Sequence, residues 1–381
     1  MNSIPSFDLS KQYKLIGDEI RAAASEVLAS GQYIGGSTVQ TFEQQFAAYT
    51  GTTECIACNS GTDALFLALR SLQIGAGDEV ITTPFTFVAT AEVISAVGAK
   101  PVFVDTDLHT YNLDLNQVEA AITDRTKAII PVHLFGQPVD MTRLMSIAQA
   151  HQLWVIEDCA QATGATWAGQ RVGSIGHIGC FSFYPTKNLG ACGDGGAITT
   201  NDAAIADQLR ILRDHGQKQR YLYEAIGVNS RLDAVQAAIL LVKLHYLDRW
   251  NTQRQAIAGR YHELLQSLSG IMIPQETEGG QSVWNQYTIR VLPPEAGSTI
   301  EEPHNCRDRV RQQLQQQQVG TMVYYPKPLH LQPIYAELGD RAGQLRISEQ
   351  LSQEVLSLPM FPELEASQQE QVVYALKDSL G

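Results

Sequence analysis

No stretch of the sequence is apolar for long enough to cross a membrane, and no tract is of low complexity. A spanning helix and a disordered scaffold are both excluded as readings. Positive charge is also in short supply. The 27 Lys and Arg residues face 40 Asp and Glu, a net charge of -13, and no Lys/Arg cluster stands out along the chain. That balance argues against a general binder of nucleic-acid backbone, although a few well-placed donors can still capture a small anion. The first residues, MNSIPSFDLSKQY, lack the basic start and apolar core of a signal peptide, so a cytoplasmic protein is expected. Cysteine is sparse: Cys55, Cys58, Cys159, Cys180, Cys192 and Cys306 read as free thiols rather than a disulfide framework. Cys55 and Cys58 form a C-x-x-C, but no second pair at similar spacing completes a metal site. ECIACNSG therefore reads as a buried strand entering a glycine turn, and that turn lacks the G-x-G-x-x-G dinucleotide fingerprint.

What is present suffices for two cores. Hydrophobic residues make up 44% and charged residues 18% of 381 positions, more chain than one core usually supports. Up to about residue 200, apolar runs alternate with helical patterns. DEVITTP, KPVFVDTD, TKAIIPVHLFG and LWVIEDCAQ are short, rich in Val and Ile and apolar on both faces, as strands covered by helices on both sides must be. Between them TAEVISAVGA, NQVEAAI and MTRLMSIAQAHQ carry helical periodicity with polar faces. Repeated βα units of this kind predict a doubly wound α/β domain on a mainly parallel sheet. The texture changes along a long helical segment that begins NSRLDAVQAAILLVKL and has an expected break near 246 to 250. A Gly-rich turn TEGGQS, a strand NQYTIRVLP, a helix CRDRVRQQLQQQQ and a Pro-rich loop YYPKPLHLQP follow. The expected division is a large α/β domain over 1–246 and a smaller α+β domain over 247–381.

Three stretches carry chemistry. In CNSGTDALFLALRSL a strand ends in a small-residue turn and a helix begins with Thr62 and Asp63 in its first turn. Free backbone N–H groups and the helix dipole make such a place an anion site, although the same residues also suit an ordinary helix cap. LWVIEDCAQATGA ends a hydrophobic strand with Glu157 and Asp158, and alternation lets one of them face the ligand crevice at the sheet's carboxyl edge. The third is FSFYPTKNLGACGDGG, where Lys187 has no charged neighbour within six positions on its N-terminal side. Lys187 lies 29 residues after Asp158, just past the apolar strand GCFSFYP, so both can reach one sheet edge. An apolar, aromatic setting destabilises an ammonium and lowers its pKa toward that of a nucleophilic amine able to form a Schiff base. The cofactor that joins such a lysine, a carboxylate and a phosphate site is pyridoxal phosphate.

The ordered strings CNSGTDAL, GDEVITTPFTFVATAE, VIEDCAQATGA, FSFYPTKNLGACGDGG and GVNSRLDAVQAAILLVKL resemble the DegT/DnrJ/EryC1/StrS family of nucleotide-sugar aminotransferases, from about residue 5 to the C-terminus. The resemblance implies an aspartate-aminotransferase-like, fold type I architecture: a seven-stranded, mainly parallel sheet between helices, plus a smaller C-terminal α+β domain. It implies that Lys187 carries the cofactor as a Schiff base and then moves the proton, and that Asp158 partners the pyridinium nitrogen. Gln161 matches the position that bonds the ring hydroxyl, Phe87 the aromatic stacked on the ring, and Gly61, Thr62 and Ser182 the phosphate contacts. Asn229 and Arg231 match a loop that reaches in from the second subunit of a homodimer. Tyr325 and His330 fall where the family places sugar contacts. The implied substrates are L-glutamate and a nucleotide-linked keto sugar, with pyridoxamine phosphate formed in the half-reaction and no metal. The NSRLD and YYPKPLHLQ strings resemble members that aminate carbon 3 of dTDP- or UDP-linked hexoses. Amination at carbon 4 and a non-catalytic regulatory role on this fold stand as the alternatives.

Other residues take plainer readings. His133 reads as a satisfied histidine at a strand end, Met141 and Met145 as core, and QQLQQQQ as a solvated helix face.

Overall fold

The computed structural model describes residues 3–293 and 306–380. Its central sheet holds seven strands: β1 (Glu54–Cys58), β2 (Glu79–Thr82), β3 (Lys100–Phe103), β4 (Thr126–Ile129), β5 (Trp154–Asp158), β6 (Ile178–Ser182) and β7 (Gly196–Thr200). Their spatial order is β1-β7-β6-β5-β4-β2-β3. β3, β2, β4, β5 and β6 pair in parallel, whereas β7 runs antiparallel to both β6 and β1. β1 therefore points the same way as the parallel five. The six aligned strands all release their chain at one carboxyl edge, where a doubly wound sheet binds ligands.

Period-two alternation puts neighbouring residues of one strand into different cores. Ile56 and Cys58 of β1 pack on one face with Leu65 and Leu69 of the Gly61–Ser71 helix and Leu209 of the Ala203–Arg213 helix. Cys55 and Ala57 pack on the other with Phe42 and Phe46 of the Gly36–Thr50 helix and Leu240 of the Ala234–Leu244 helix. The two thiols of the C-x-x-C thus lie on opposite faces of the sheet, which rules the pair out as joint metal ligands. Met141 is fully buried and Met145 packs partly buried beside it, in a core that also takes Ile129 and Val155. The helix expected over NQVEAAI is shorter: one α turn, Leu115–Val118, runs into a 3-10 turn, Glu119–Ala121. Only Leu115 and Val118 of that segment are fully buried, with Ala121 and Ile122 partly buried beside them, too little to hold a longer helix.

The expected break falls at His245 and Tyr246, between the Ala234–Leu244 helix and the Leu247–Leu265 helix. Beyond it, β8 (Ile271–Met272), β9 (Tyr287–Val291) and β10 (Val355–Leu358) form a three-stranded antiparallel sheet in the order β8-β9-β10. The Leu247–Leu265, Cys306–Gln316 and Ala366–Leu380 helices cover it and share one core, which also takes in Ile4 from the other end of the chain. Arg254 is buried in that region with its Nη1 donating to the carbonyls of Trp284, Asn285 and Met360 at 3.1, 3.3 and 3.2 Å. Burial lowers its pKa to about 10.

One carboxylate joins the early sheet to the late part of the chain. The Arg346–Glu354 helix has no cap from its own N-cap residue, Leu345. Instead Asp105, just past β3 and 5% exposed, accepts from the backbone N–H of Ile347 and Ser348 at 2.9 Å each and from the Ser348 hydroxyl. A capping carboxylate usually comes from the preceding residue. Here it arrives from 242 positions upstream. Asp105→Ala strands one buried and one part-buried N–H group at a helix start, so it should cost about 1–3 kcal/mol in urea unfolding. A loss below about 1 kcal/mol would show that water replaces the carboxylate without penalty.

Candidate active site

A cavity of about 610 Å³ opens at the carboxyl edge of the large sheet, within the size range of cofactor sites. β1 delivers Ser60, Gly61 and Thr62 to its wall, β5 delivers Asp158, β6 delivers Ser182, and the loop after β6 delivers Lys187. Ser60 caps the Gly61–Ser71 helix by accepting from the Asp63 N–H at 3.1 Å. The first-turn N–H groups of Gly61 and Thr62 have no intrahelical acceptor, and with the Thr62 hydroxyl they form a donor set for an anion. The capping and anion-site readings of this stretch therefore describe the same turn. Gly61 has to be glycine for the cradle to close: a Cβ there would lie 2.7 Å from the Ser182 Cβ and 3.1 Å from its Cα.

Asp158 is the acid that alternation turns toward the cavity. It is 5% exposed, and burial raises its carboxyl above the usual range. The Ala160 N–H at 3.1 Å, the Thr90 hydroxyl at 2.8 Å and the nearby Lys187 charge oppose that rise. Lys187 shows the mirror effect, its pKa pushed down to about 8 by burial although the Asp158 charge pulls it up. Desolvation outweighs attraction. The outcome is an amine poised to lose its proton near neutral pH.

Glu157 turns to the opposite side of β5. Its oxygens accept from the N–H groups of Gly173, Ile175 and Gly176 at 2.8, 2.9 and 2.6 Å, and it meets His133 Nε2 at 3.0 Å. His133 Nδ1 accepts from the Val139 N–H at 3.1 Å, so the ring proton sits on Nε2 and is donated to Glu157. His133, Glu157 and Cys159 offer ligand atoms within 4.8 Å of one another. These hydrogen bonds already occupy the imidazole and the carboxylate, which leaves the trio structural and His133 the satisfied histidine its sequence context suggests.

Of the other residues singled out in the sequence, Gly61, Thr62, Phe87, Gln161, Ser182 and Tyr325 line the cavity. Gln161 Oε1 accepts from the N–H of Phe135 at 2.6 Å, and its Nε2 donates to the Tyr325 hydroxyl at 3.2 Å. Phe135 has φ +59°, a left-handed conformation costly for a phenylalanine, which this bond helps to hold. The amide carries two N–H donors, so one remains for a ligand. Phe87 is 56% exposed with its ring centroid 6.4 Å from that of Tyr325.

Asn229, Arg231 and His330 are not brought to this cavity by their own chain. Arg231 Nη1 pairs with Asp214 at 2.9 Å, and Asn229 bridges the backbone of Asp214. Buried His330 meets Glu349 through Nε2 at 3.1 Å. The cavity wall also holds Thr86, Thr90, Tyr184, Asp194, Asn285, Gln286 and Tyr324, none of them expected from the sequence. Thr86 and Thr90 were findable, since they stand four apart in FTFVAT at the start of a helix.

The donor chemistry fits pyridoxal phosphate. A helix start and two hydroxyls suit its phosphate, a buried acid short of a countercharge suits its ring nitrogen, an aromatic suits its face, and an amine of depressed pKa suits its aldehyde. With the sheet order, these features define the fold type I class of aminotransferases. The chain belongs to the DegT/DnrJ/EryC1/StrS aminotransferase family, whose model matches residues 14–377. It is 49% identical, over 97% of each chain, to a protein of Geobacillus stearothermophilus named a pleiotropic regulatory protein. It is 44% identical to the UDP-N-acetyl-3-dehydro-alpha-D-glucosamine 3-aminotransferase of Acidithiobacillus ferrooxidans, over 99% of this chain and 98% of that one. The crystal structure of S. venezuelae DesV in complex with a ketimine intermediate superimposes with a TM-score of 0.94 at 42% identity, covering 99% of this chain and 98% of that one.

In the cofactor-free protein, the rate of Lys187 acylation should rise with pH about a midpoint near 8. Asp158→Asn removes the charge that holds the ammonium and should move that midpoint lower. A Lys187 midpoint at the ordinary lysine value would contradict the desolvation argument. Gly61→Ala should weaken pyridoxal phosphate binding about tenfold or more, read by absorbance titration, because the new methyl drives Ser182 away.

Proposed function

We propose that the protein is a pyridoxal-phosphate-dependent transaminase that moves an amino group from L-glutamate to a nucleotide-linked 3-keto hexose, giving the 3-amino sugar. The observation that carries this reading is the Lys187 amine of lowered pKa sharing one cavity with the buried Asp158. Pyridoxal phosphate, when bound, supplies the electron sink for the carbon–hydrogen bond that breaks. The Gly61 and Thr62 N–H groups and the Thr62 and Ser182 hydroxyls would hold its phosphate, Phe87 would pack on its ring, and Gln161 would donate to its hydroxyl. Asp158 would hold a proton on the ring nitrogen by charge pairing. Lys187 Nζ would take the proton from the substrate carbon and return it to the carbon on the far side of the intervening nitrogen, serving as base and then acid. At pH 7.5 a pKa of about 8 leaves about a quarter of such amines unprotonated, against about one in a thousand at the ordinary value. The lowered pKa thus supplies most of the available base.

The 3-keto assignment draws on the Acidithiobacillus relative, named a 3-aminotransferase acting on a UDP-linked sugar; a 4-keto substrate is the alternative within this family. A regulatory role draws on the name of the Geobacillus relative. A sensor has no need of a base at Lys187, and that favours catalysis. The protein has six free thiols, five of them buried, which suits a reducing cytoplasm. Among the described residues no helix is long and apolar enough to cross a membrane.

We further infer a homodimer with shared sites. Tyr221, Leu222 and Tyr223 of a short hairpin, and Ile226 just after it, are 73, 49, 58 and 82% exposed, an apolar patch that a second copy would cover. Asn229 and Arg231 follow it directly, turned away from their own cavity.

Offered a panel of nucleotide-linked 3-amino and 4-amino sugars, the yellow holoenzyme should lose its colour with a 3-amino sugar. Conversion by 4-amino sugars alone would move the substrate to carbon 4, and conversion by neither would favour the regulatory reading. Lys187→Ala and Arg231→Ala homodimers should each be nearly inactive. Mixed under subunit exchange, they should regain up to half of wild-type activity per heterodimer, since one site then carries neither lesion. Confirmed heterodimers without recovery would place Arg231 in its own chain's site.

A further inference from the structure

Beside Asp158 in the cavity wall stands a pair of buried hydroxyls that the proposed reaction leaves unused. Thr90, in the first turn of the Ala89–Ala96 helix, places its Oγ1 2.8 Å from Asp158 Oδ2. Thr86 Oγ1 lies 3.0 Å from Thr90 Oγ1. Both threonines are nearly excluded from solvent, at 3% and 1% exposure. An ionised carboxylate only accepts hydrogen bonds, so the single Thr90 proton goes to Asp158. Thr90 Oγ1 must then accept the proton of Thr86, which gives the chain one direction: Thr86 to Thr90 to Asp158. Each bond polarises the next, and in a site of low dielectric both strengthen the carboxylate at the end. The other oxygen, Oδ1, is fixed by the Ala160 N–H at 3.1 Å.

We propose that Thr86 and Thr90 are positioning residues that set the orientation and the negative charge of Asp158, and so decide whether the acid can hold a protonated ring nitrogen. This rests on the transaminase reading of the site. The consequence is electrostatic. Asp158 is buried, and the groups facing it are Lys187 from the loop after β6, His133 from the end of β4, Tyr325, and the thiols Cys159 and Cys180. Of these only Lys187 favours the charged form by its charge, along with the hydrogen bond from the Ala160 N–H. Remove the Thr90 hydroxyl and desolvation, already the largest influence, gains ground. Asp158 then keeps its proton to higher pH. The same helix turn closes on Phe87, whose carbonyl accepts from the Thr90 N–H at 3.3 Å. The aromatic that faces the ring and the hydroxyl that faces the acid are thus placed by one piece of backbone.

The test is a titration of cofactor-free protein with pyridoxal phosphate as a function of pH, read by absorbance, for wild type, Thr90→Val, Thr90→Ser, Thr86→Val and Asp158→Asn. Wild-type affinity should fall on the acid side as Asp158 takes up a proton. Thr90→Val should move that fall upward by roughly one to two pH units, the size that one hydrogen bond to an ionised group implies. Thr90→Ser restores the hydroxyl and should return the wild-type midpoint. Thr86→Val should shift it the same way by less, and it carries the test if Thr90→Val does not fold by its melting curve. A Thr90→Val midpoint equal to wild type, or a Thr90→Ser midpoint displaced as far as that of Thr90→Val, overturns the proposal. Loss of the acid-side fall in Asp158→Asn without a shifted midpoint in Thr90→Val sinks the hydroxyl chain alone. Failure of wild type to bind pyridoxal phosphate sinks the transaminase reading itself.

Discussion

The site depends on the desolvation of two opposite charges that cannot fully satisfy each other. Lys187 is driven toward its neutral amine and Asp158 toward its neutral acid by the same loss of water. If each were the other's only partner, mutual neutralisation would be the stable outcome. The surrounding chain prevents it on one side. Asp158 keeps two further donors, the Thr90 hydroxyl and the Ala160 N–H, whereas Lys187 has attraction from Asp158 alone to set against desolvation. The acid is helped to stay charged while the base is left free to lose its proton. Two adjoining desolvated groups thereby receive different jobs, and the difference comes from their hydrogen-bond partners.

The architecture supplies what that arrangement needs. Parallel strands bring Ser60, Asp158 and Ser182 out at one edge although they are far apart in sequence. The late part of the chain closes the cavity with Asn285, Gln286, Tyr324 and Tyr325, and buried polar contacts tie it to the large sheet. Asn188, next to the reactive lysine, donates to Asn251 Oδ1 at 2.8 Å and to the Val283 carbonyl at 2.9 Å, and it accepts from Asn285 at 2.8 Å. Arg254 holds the carbonyls of Trp284 and Asn285, and Asp105 caps a helix from across the fold. Each of these polar groups would be costly to bury unpaired. Their pairing fixes the cavity wall as well as the fold.

Much of this was legible in the sequence where one strand or one turn decided the outcome. Alternation along VIEDCA separates Asp158 from Glu157, and the uncharged surroundings of Lys187 already announce a desolvated amine. The apolar runs gave the parallel core strands for the same local reason. What stayed hidden depends on contacts between distant segments. The Thr90 bond to Asp158 requires the loop after β2 to fold back over the end of β5, and the Asp105 cap joins residues more than two hundred apart. Helix length at NQVEAAI was overestimated because periodicity says nothing about how much apolar surface waits to receive a helix. Asn229, Arg231 and His330 matched motifs, yet the folded single chain turns none of them into its own cavity.

The central claim is that Lys187 is the amine that meets the cofactor, and the most direct measurement locates that bond chemically. The holoprotein would be reduced with borohydride, digested, and its peptides weighed by mass spectrometry. The peptide containing Lys187 should carry the mass of one phosphopyridoxyl group, and that peptide in Lys187→Ala should carry none. A stoichiometric adduct on a different lysine, or a wild-type protein that takes up no cofactor mass, would contradict it.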